Sequence, residues 1–369
     1  MKIHFVKIRK IRNFSAMAGN HGSIMHRLSF LLLLAALLMI PTLAASADLT
    51  TGSAQDSQQS KPEVSDKCRE LTSRVDIDLK EVVRAGCQPS QAQLSKMMDN
   101  PVGSLVFVAN QFYWTQIEGP RTNGTLDAYA YKLIPTFPIP IGKSWNLINR
   151  PVFSIVSAPL KKEVGNLIGM SETEIIQQPS LFSTIRDPFG RTSGFGDISY
   201  VGLLSPKTPD KVGTGIFVWG IGPTLIFPTS SETILGQGKY QAGPAGVAAY
   251  IGKKWCFGLF PQHWWSYAGD SDRSGTNMTN IQYFIYYNIT DTVKIGMGPN
   301  ATINWTANSS DMVTLPVGLG VNWMTKVGKL PVRFGIEGYY SVIHPQDTMG
   351  SRFSVKFTVT PVIPTFLLF

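Results

Sequence analysis

Few side chains in this sequence could carry out chemistry. It holds only five histidines, and three of them, His4, His21 and His26, fall within an N-terminal stretch that reads as an export leader. His263 stands near Gln262, Ser266 and Asp270, and a hydrolase would need a serine, a histidine and an orienting amide or carboxylate converging at one place. No strand-to-helix elbow presents a serine, so His263 reads as a packing residue among tryptophans and no catalytic residue is expected. The loop Gly269-Asp270-Ser271-Asp272-Arg273 sets two carboxylates two residues apart. It lacks the further oxygen ligands of a calcium loop, so solvated loop charge is the reading and no metal or cofactor is expected. Cys68 and Cys87 flank a short amphipathic segment, and in an oxidising compartment they are candidates for a disulfide, with two unrelated thiols as the alternative. Cys256 lies inside a strand pattern and reads as a lone packed thiol.

A more informative set is Arg150, Lys294, Arg333, Glu337, Arg352 and Lys356. Each falls on the polar phase of a run that alternates apolar and polar residues. Residues 293–305 put Val293, Ile295, Met297, Ala301, Ile303 and Trp305 on one face, with Lys294, Gly296, Gly298, Asn300, Thr302 and Asn304 on the other. Residues 352–359 repeat the pattern. A period of two is that of a strand whose faces meet different surroundings. If the polar face lines a lumen, these six charges form either a salt-bridge lattice or a path favouring anions or polar-headed solutes.

The elements that would position them are twelve strand-like runs: 104–117, 126–139, 145–158, 195–206, 214–228, 240–252, 254–268, 278–290, 292–306, 312–325, 331–343 and 351–361. Connections alternate between short turns, such as Gly252-Lys253 and Thr290-Asp291, and longer polar loops, the longest being Pro159 to Gly194. Short turns on one rim, long loops on the other and an even strand count are the pattern of a bacterial outer-membrane barrel. Alternation alone does not say which face meets lipid, because a soluble barrel would reverse it. The tryptophans do say. Trp145, Trp255 and Trp323 sit beside short turns, and Trp114, Trp264, Trp265 and Trp305 sit near long loops, as two interfacial aromatic girdles would. Trp219 is the exception, nearer the middle of its run.

The charge balance agrees with this picture. The chain has 33 Lys and Arg against 24 Asp and Glu, but residues 1–47 hold six of those bases and no acid, leaving 27 against 24, about +3. That removes the main support for a nucleic-acid partner. Residues 1–47 read as a signal peptide, with Met25-His26-Arg27, an apolar run to Leu43 and a small-residue cleavage site before Asp48. Residues 1–24 are either an extended basic region or a misassigned start. Residues 48–99 read as a periplasmic linker and short helical cap or plug, 100–361 as the barrel, and 362–369 as a tail. The fold class is therefore all-β, a transmembrane antiparallel β-barrel of about twelve strands with a short N-terminal periplasmic helical segment.

Four segments carry a resemblance: WNLINRP at Trp145–Pro151, GFGDISYVGLLSPK at Gly194–Lys207, the stretch Val218–Ala248, and Trp265–Asn288. They resemble the outer-membrane proteins associated with phenol meta-pathway gene clusters, transporters sometimes mislabelled neuromedin U and similar to the channel that secretes functional amyloid. The resemblance covers roughly Asn100 to Pro361. It implies a transporter-like barrel with no established catalytic residues. The sequence as a whole points to the outer membrane of a Gram-negative bacterium, with outer-membrane lipid, lipopolysaccharide, the barrel assembly machinery and a small solute as partners. The expected function is a channel or transporter for small, aromatic or amphipathic solutes. The alternatives are an export pore for a secreted polypeptide and a structural barrel without conduction.

Overall fold

The computed structural model describes residues 66–73, 79–103, 105–122, 124–171, 174, 177–328 and 330–363. The expected leader, most of the linker and the terminal Phe369 lie outside the described residues.

Twelve antiparallel strands close on themselves. They are β1 (Val106–Glu118), β2 (Leu126–Ile141), β3 (Trp145–Leu160), β4 in two segments (Phe189–Phe195 and Ile198–Pro206), β5 (Gly215–Phe227) and β6 (Lys239–Ile251). There follow β7 (Trp255–Gly269), β8 (Asn277–Asn288), β9 in two segments (Val293–Met297 and Asn300–Asn304), β10 (Val313–Val327), β11 (Leu330–Ile343) and β12 (Gly350–Ile363). Each strand pairs with its sequence neighbours, and β12 returns to β1 with Val106 opposite Ile363 and Phe112 opposite Phe357. No edge strand is left, which is the condition for a sheet to sit in hydrocarbon. Most strands run 13 to 16 residues, more than the roughly 9 to 11 a tilted strand needs to cross a bilayer.

The side-chain phase settles which face is apolar. On β10 Leu319 is 61% exposed and on β11 Ile336 is 49% exposed, whereas the adjacent Glu337 is 2% exposed. Phe153, Ile155, Ile221, Phe257, Leu259 and Ile285 continue the exposed apolar band around the barrel. A band of this extent is unsuited to water and is the lipid-facing surface of a transmembrane barrel. Among the described residues no helix is long and apolar enough to cross a membrane.

Two boundaries differ from the sequence reading. β3 continues to Leu160 and pairs with Phe189–Phe195, so the fourth strand begins before Gly194 and breaks at Gly196-Asp197. Asp197 explains the break: its carboxylate accepts from the backbone N–H groups of Thr229, Ser230 and Gln237, pinning the neighbouring loop to the kink. The long loop also carries a 3₁₀ turn (Lys162–Leu167) and a helix (Pro179–Arg186) that strand periodicity could not reveal. At the other end β12 runs through Val362 and Ile363, because Val362 is fully buried against the N-terminal helices.

Those helices are α1 (Asp66–Ser73), α2 (Leu79–Arg84) and α3 (Gln91–Met98). Ser90 caps α3 in a reciprocal capping box with Gln93, and Gln93 Nε2 donates to the Leu71 carbonyl at 2.9 Å, tying α3 to α1. A disulfide joins Cys68 to Cys87. Leu71, Val82 and Leu94 pack on Leu105, Met324 and Val362. Met324 lies near the short turn between β10 and β11, so the helical unit occupies the short-turn mouth of the lumen.

Candidate functional site

Inward-facing positions build the site because strand alternation sends every second side chain into the lumen. The helical unit meets the wall at Asp99, the C-cap of α3. Lys294 Nζ on β9 donates to Asp99 Oδ1, and Arg333 Nη2 on β11 donates to the same oxygen at 2.8 Å. Arg333 also donates to the Ser95 and Met98 carbonyls, which sit at the helix C-terminus where a cation is favoured. All three side chains are nearly buried. Burial pushes the Asp99 carboxyl upward, but Lys294 and Arg333 outweigh it and hold the group below the usual carboxylate range.

Further along the lumen a second ion pair joins two neighbouring strands, where Glu337 and Lys356 stand opposite each other. Lys356 Nζ on β12 lies 3.1 Å from Glu337 Oε1 on β11. Glu337 also accepts from Tyr339 Oη at 2.6 Å, from Tyr286 Oη at 3.2 Å and from Gly298 N at 2.8 Å. Lys356 donates to the Gly298 carbonyl at 3.3 Å. The pair thus takes up the polar groups of Gly298 at the point where β9 breaks, next to Pro299, which has no N–H to give a ladder. Glycines on β10 make room for Glu337 to reach over it to Gly298 on β9 and Tyr286 on β8. A Cβ at Gly320 would stand 2.4 Å from Glu337 Cγ, and one at Gly318 would stand 2.7 Å from the Tyr339 ring.

Arg150 lies inside, with its guanidinium carbon 5.2 Å from the centre of the Phe260 ring. Lys132, which the sequence reading did not single out, lies over Tyr113 at 5.2 Å. It sits on the polar phase of β2 and was open to the same phase argument as Arg150. Arg352 is at the long-loop rim instead. An irregularity in the pairing of β1 with β12 leaves it without an opposite residue, and it meets Glu118 at 3.5 Å, His344 and the Tyr340 ring.

Between the helical unit and these groups is a cavity of about 180 Å³. Phe107, Phe260 and Phe284 wall it, together with Arg150, Thr136 and Asn322.

The outward aromatics form two rows. Trp145 stacks edge-on with Trp219 at 5.9 Å, Trp255 meets Tyr287 at 5.0 Å, and Trp323 stacks on Phe334 at 5.6 Å beside the short turns. Trp219 therefore joins this row. Trp114, Trp265 and Trp305 are on the opposite rim. Trp264 corrects the expected girdle. It is 7% exposed and faces inward, donating to Thr224 Oγ1 at 2.9 Å. Adjacent strand residues cannot share a face, so with Trp265 half exposed outside, Trp264 must be inside.

His263 faces outward, with Nδ1 2.7 Å from Thr279 Oγ1, an oxygen that also accepts from Trp305 Nε1. Ser266 lies on the alternate phase and accepts from Thr276 N, so the serine and histidine do not converge. Among the described residues no group of histidine, cysteine or carboxylate side chains could hold a metal.

Closed strands, an apolar exterior and a polar interior define a transmembrane β-barrel with a short helical unit packed at its short-turn mouth. No protein-family model matches the chain, and no curated protein matches it. Solved structures with similar shape include an outer membrane channel from Pseudomonas putida F1, 13% identical over 71% of this chain and 96% of that one, with a TM-score of 0.48. Outer membrane phospholipase A from Escherichia coli is 13% identical over 69% and 89%, TM-score 0.36. The toluene transporter TodX from Pseudomonas putida is 7% identical over 73% and 93%, TM-score 0.33. One of these is an enzyme and two are conduits, and at such low similarity none carries an argument about this chain. Nothing among them supports the phenol-pathway or amyloid-secretion association.

Proposed function

We propose that this chain is an outer-membrane channel for small amphipathic solutes, held shut by the helical unit Asp66–Met98. The observation that carries the reading is the Asp99–Lys294–Arg333 cluster, which fastens a helical plug to an otherwise polar lumen beside a solute-sized cavity. A wall built only for strength has no need of a separate plug tied by buried charges, since such pairs are weak sources of stability. Polypeptide export has less support, because Arg150 on β3 reaches the Phe260 ring on β7 within the lumen. The exposed apolar band favours lipid around the barrel, with lipopolysaccharide and the assembly machinery as its expected partners.

Deleting residues 48–98 tests the reading. Raised conductance in planar bilayers supports it. Unchanged conductance from a chain that still shows a heat-dependent shift in SDS migration refutes it.

A further inference from the structure

The cavity beside the plug carries more information than its size. A cavity of about 150 Å³ suffices for benzene, and this one measures about 180 Å³ with three phenylalanines in its wall. Its polar lining is unfinished. Thr136 Oγ1, Asn322 Nδ2 and Arg333 Nε are all buried with no hydrogen-bond partner, although Thr136 is 3% and Asn322 8% exposed. Two of these atoms can only donate, so they call for an acceptor.

The charge is unfinished too. Lys132, Arg150, Lys294, Arg333 and Lys356 face the lumen, against Asp99 and Glu337, an excess of three positive charges. Lys132 and Arg150 make no ion pair or hydrogen bond among the described residues. Arg150 is over the very ring, Phe260, that walls the cavity. Water would satisfy the stray donors but not the excess charge, and an inorganic anion would satisfy the charge but leave the aromatic wall unused.

We propose, resting on the channel reading, that this cavity is a binding site for aromatic monocarboxylates. The ring lies among Phe107, Phe260 and Phe284, and the carboxylate takes hydrogen bonds from Arg150 and from the unpartnered donors of Asn322 and Arg333. Lys132, held over the Tyr113 ring, adds positive potential without contact.

Isothermal titration of the purified full-length chain in detergent tests the assignment, with benzoate, benzamide and chloride as probes. Benzoate is expected to bind saturably, at least about tenfold more tightly than benzamide, since a charge-assisted bond is worth roughly a decade or more. Arg150→Met is expected to weaken benzoate by about tenfold or more while leaving benzamide little changed, and Arg150→Lys to recover part of the loss. Asn322→Ala is expected to weaken benzoate more modestly. Retention of the SDS heat shift establishes that each variant is folded. Equal binding of benzoate and benzamide, benzoate binding unaffected by Arg150→Met, or abolition of benzoate binding by equimolar chloride would overturn the assignment. If benzoate shows no saturable binding while the plug-deleted chain still conducts, the assignment falls and the channel reading stands. If benzoate binds and no variant conducts, the channel reading falls instead.

Discussion

Replacing Asp99 with Asn should open the lumen without unfolding the barrel. The change leaves Lys294 and Arg333 facing each other with side chains 6% and 13% exposed and no anion between them. Removing one partner of a buried pair costs about 3 to 5 kcal/mol, which corresponds to roughly two to three and a half decades in an equilibrium constant. That cost applies only while the plug is seated, because an unseated plug lets water reach both cations. Opposing it are the bonds from Arg333 to the Ser95 and Met98 carbonyls and the apolar contact of Leu71 and Leu94 with Met324 and Val362, none of which Asp99→Asn removes. The strand ladder does not involve Asp99. In planar bilayers at neutral pH the open probability of the variant should rise by about a hundredfold or more over the parent, with the SDS heat shift retained. Adding Lys294→Met removes one stranded cation and should return much of the closure. Openings as rare as the parent's, from a variant that keeps the heat shift, would show that the cluster does not hold the plug.

Acid should act through the same carboxylate. Its pKa is held below that of an unfolded aspartate, so its stabilisation is complete above about pH 4 and fades only as pH falls through the lowered value; conductance recorded from pH 8 downward should stay flat to about pH 4 and then rise. Reducing Cys68–Cys87 releases a 19-residue separation and should cost the helical unit roughly 3 kcal/mol. Proteolysis should then cut within residues 66–98 while the barrel keeps its heat shift. Gly320→Ala would place a Cβ 2.3 Å from the Ile336 carbonyl oxygen and 2.4 Å from Glu337 Cγ. It should lower the temperature of the SDS shift, whereas Gly213→Ala, in open space at a turn, should suffer only from its left-handed backbone.

The barrel was legible in the sequence because its determinants are local. Period-two alternation and turn residues are written strand by strand, and the twelve runs coincide with the twelve strands to within a few residues, apart from the early start of β4. The inward placement of Lys294, Arg333, Glu337 and Lys356 followed from the same alternation. What alternation cannot say is which inward charges meet. Glu337 finds Lys356 on the adjacent strand, whereas Arg333 finds Asp99, more than two hundred positions earlier in the chain. Asp99 itself stood in the sequence only at the end of the segment 48–99. Arg352 illustrates a different limit, since a local irregularity in pairing removes the alternation on which its placement depended. Trp264 illustrates a third: counting tryptophans near loops ignored the rule that neighbours on a strand face opposite ways.

The helical unit is covalently continuous with the wall that the proposed function has it close. From Asp99 to the start of β1 at Val106 there are seven residues, which span at most about 25 Å. Once unlatched, the helical unit stays on this short tether and samples a small volume around the mouth, so Asp99 meets Lys294 and Arg333 at an effective concentration in the millimolar range or above. Reclosure is then a first-order event, independent of protein density in the membrane and insensitive to loose competitors. On that reading, the length of the segment joining Asp99 to Val106 would set how long the lumen stays open as directly as the charges would set how often it opens.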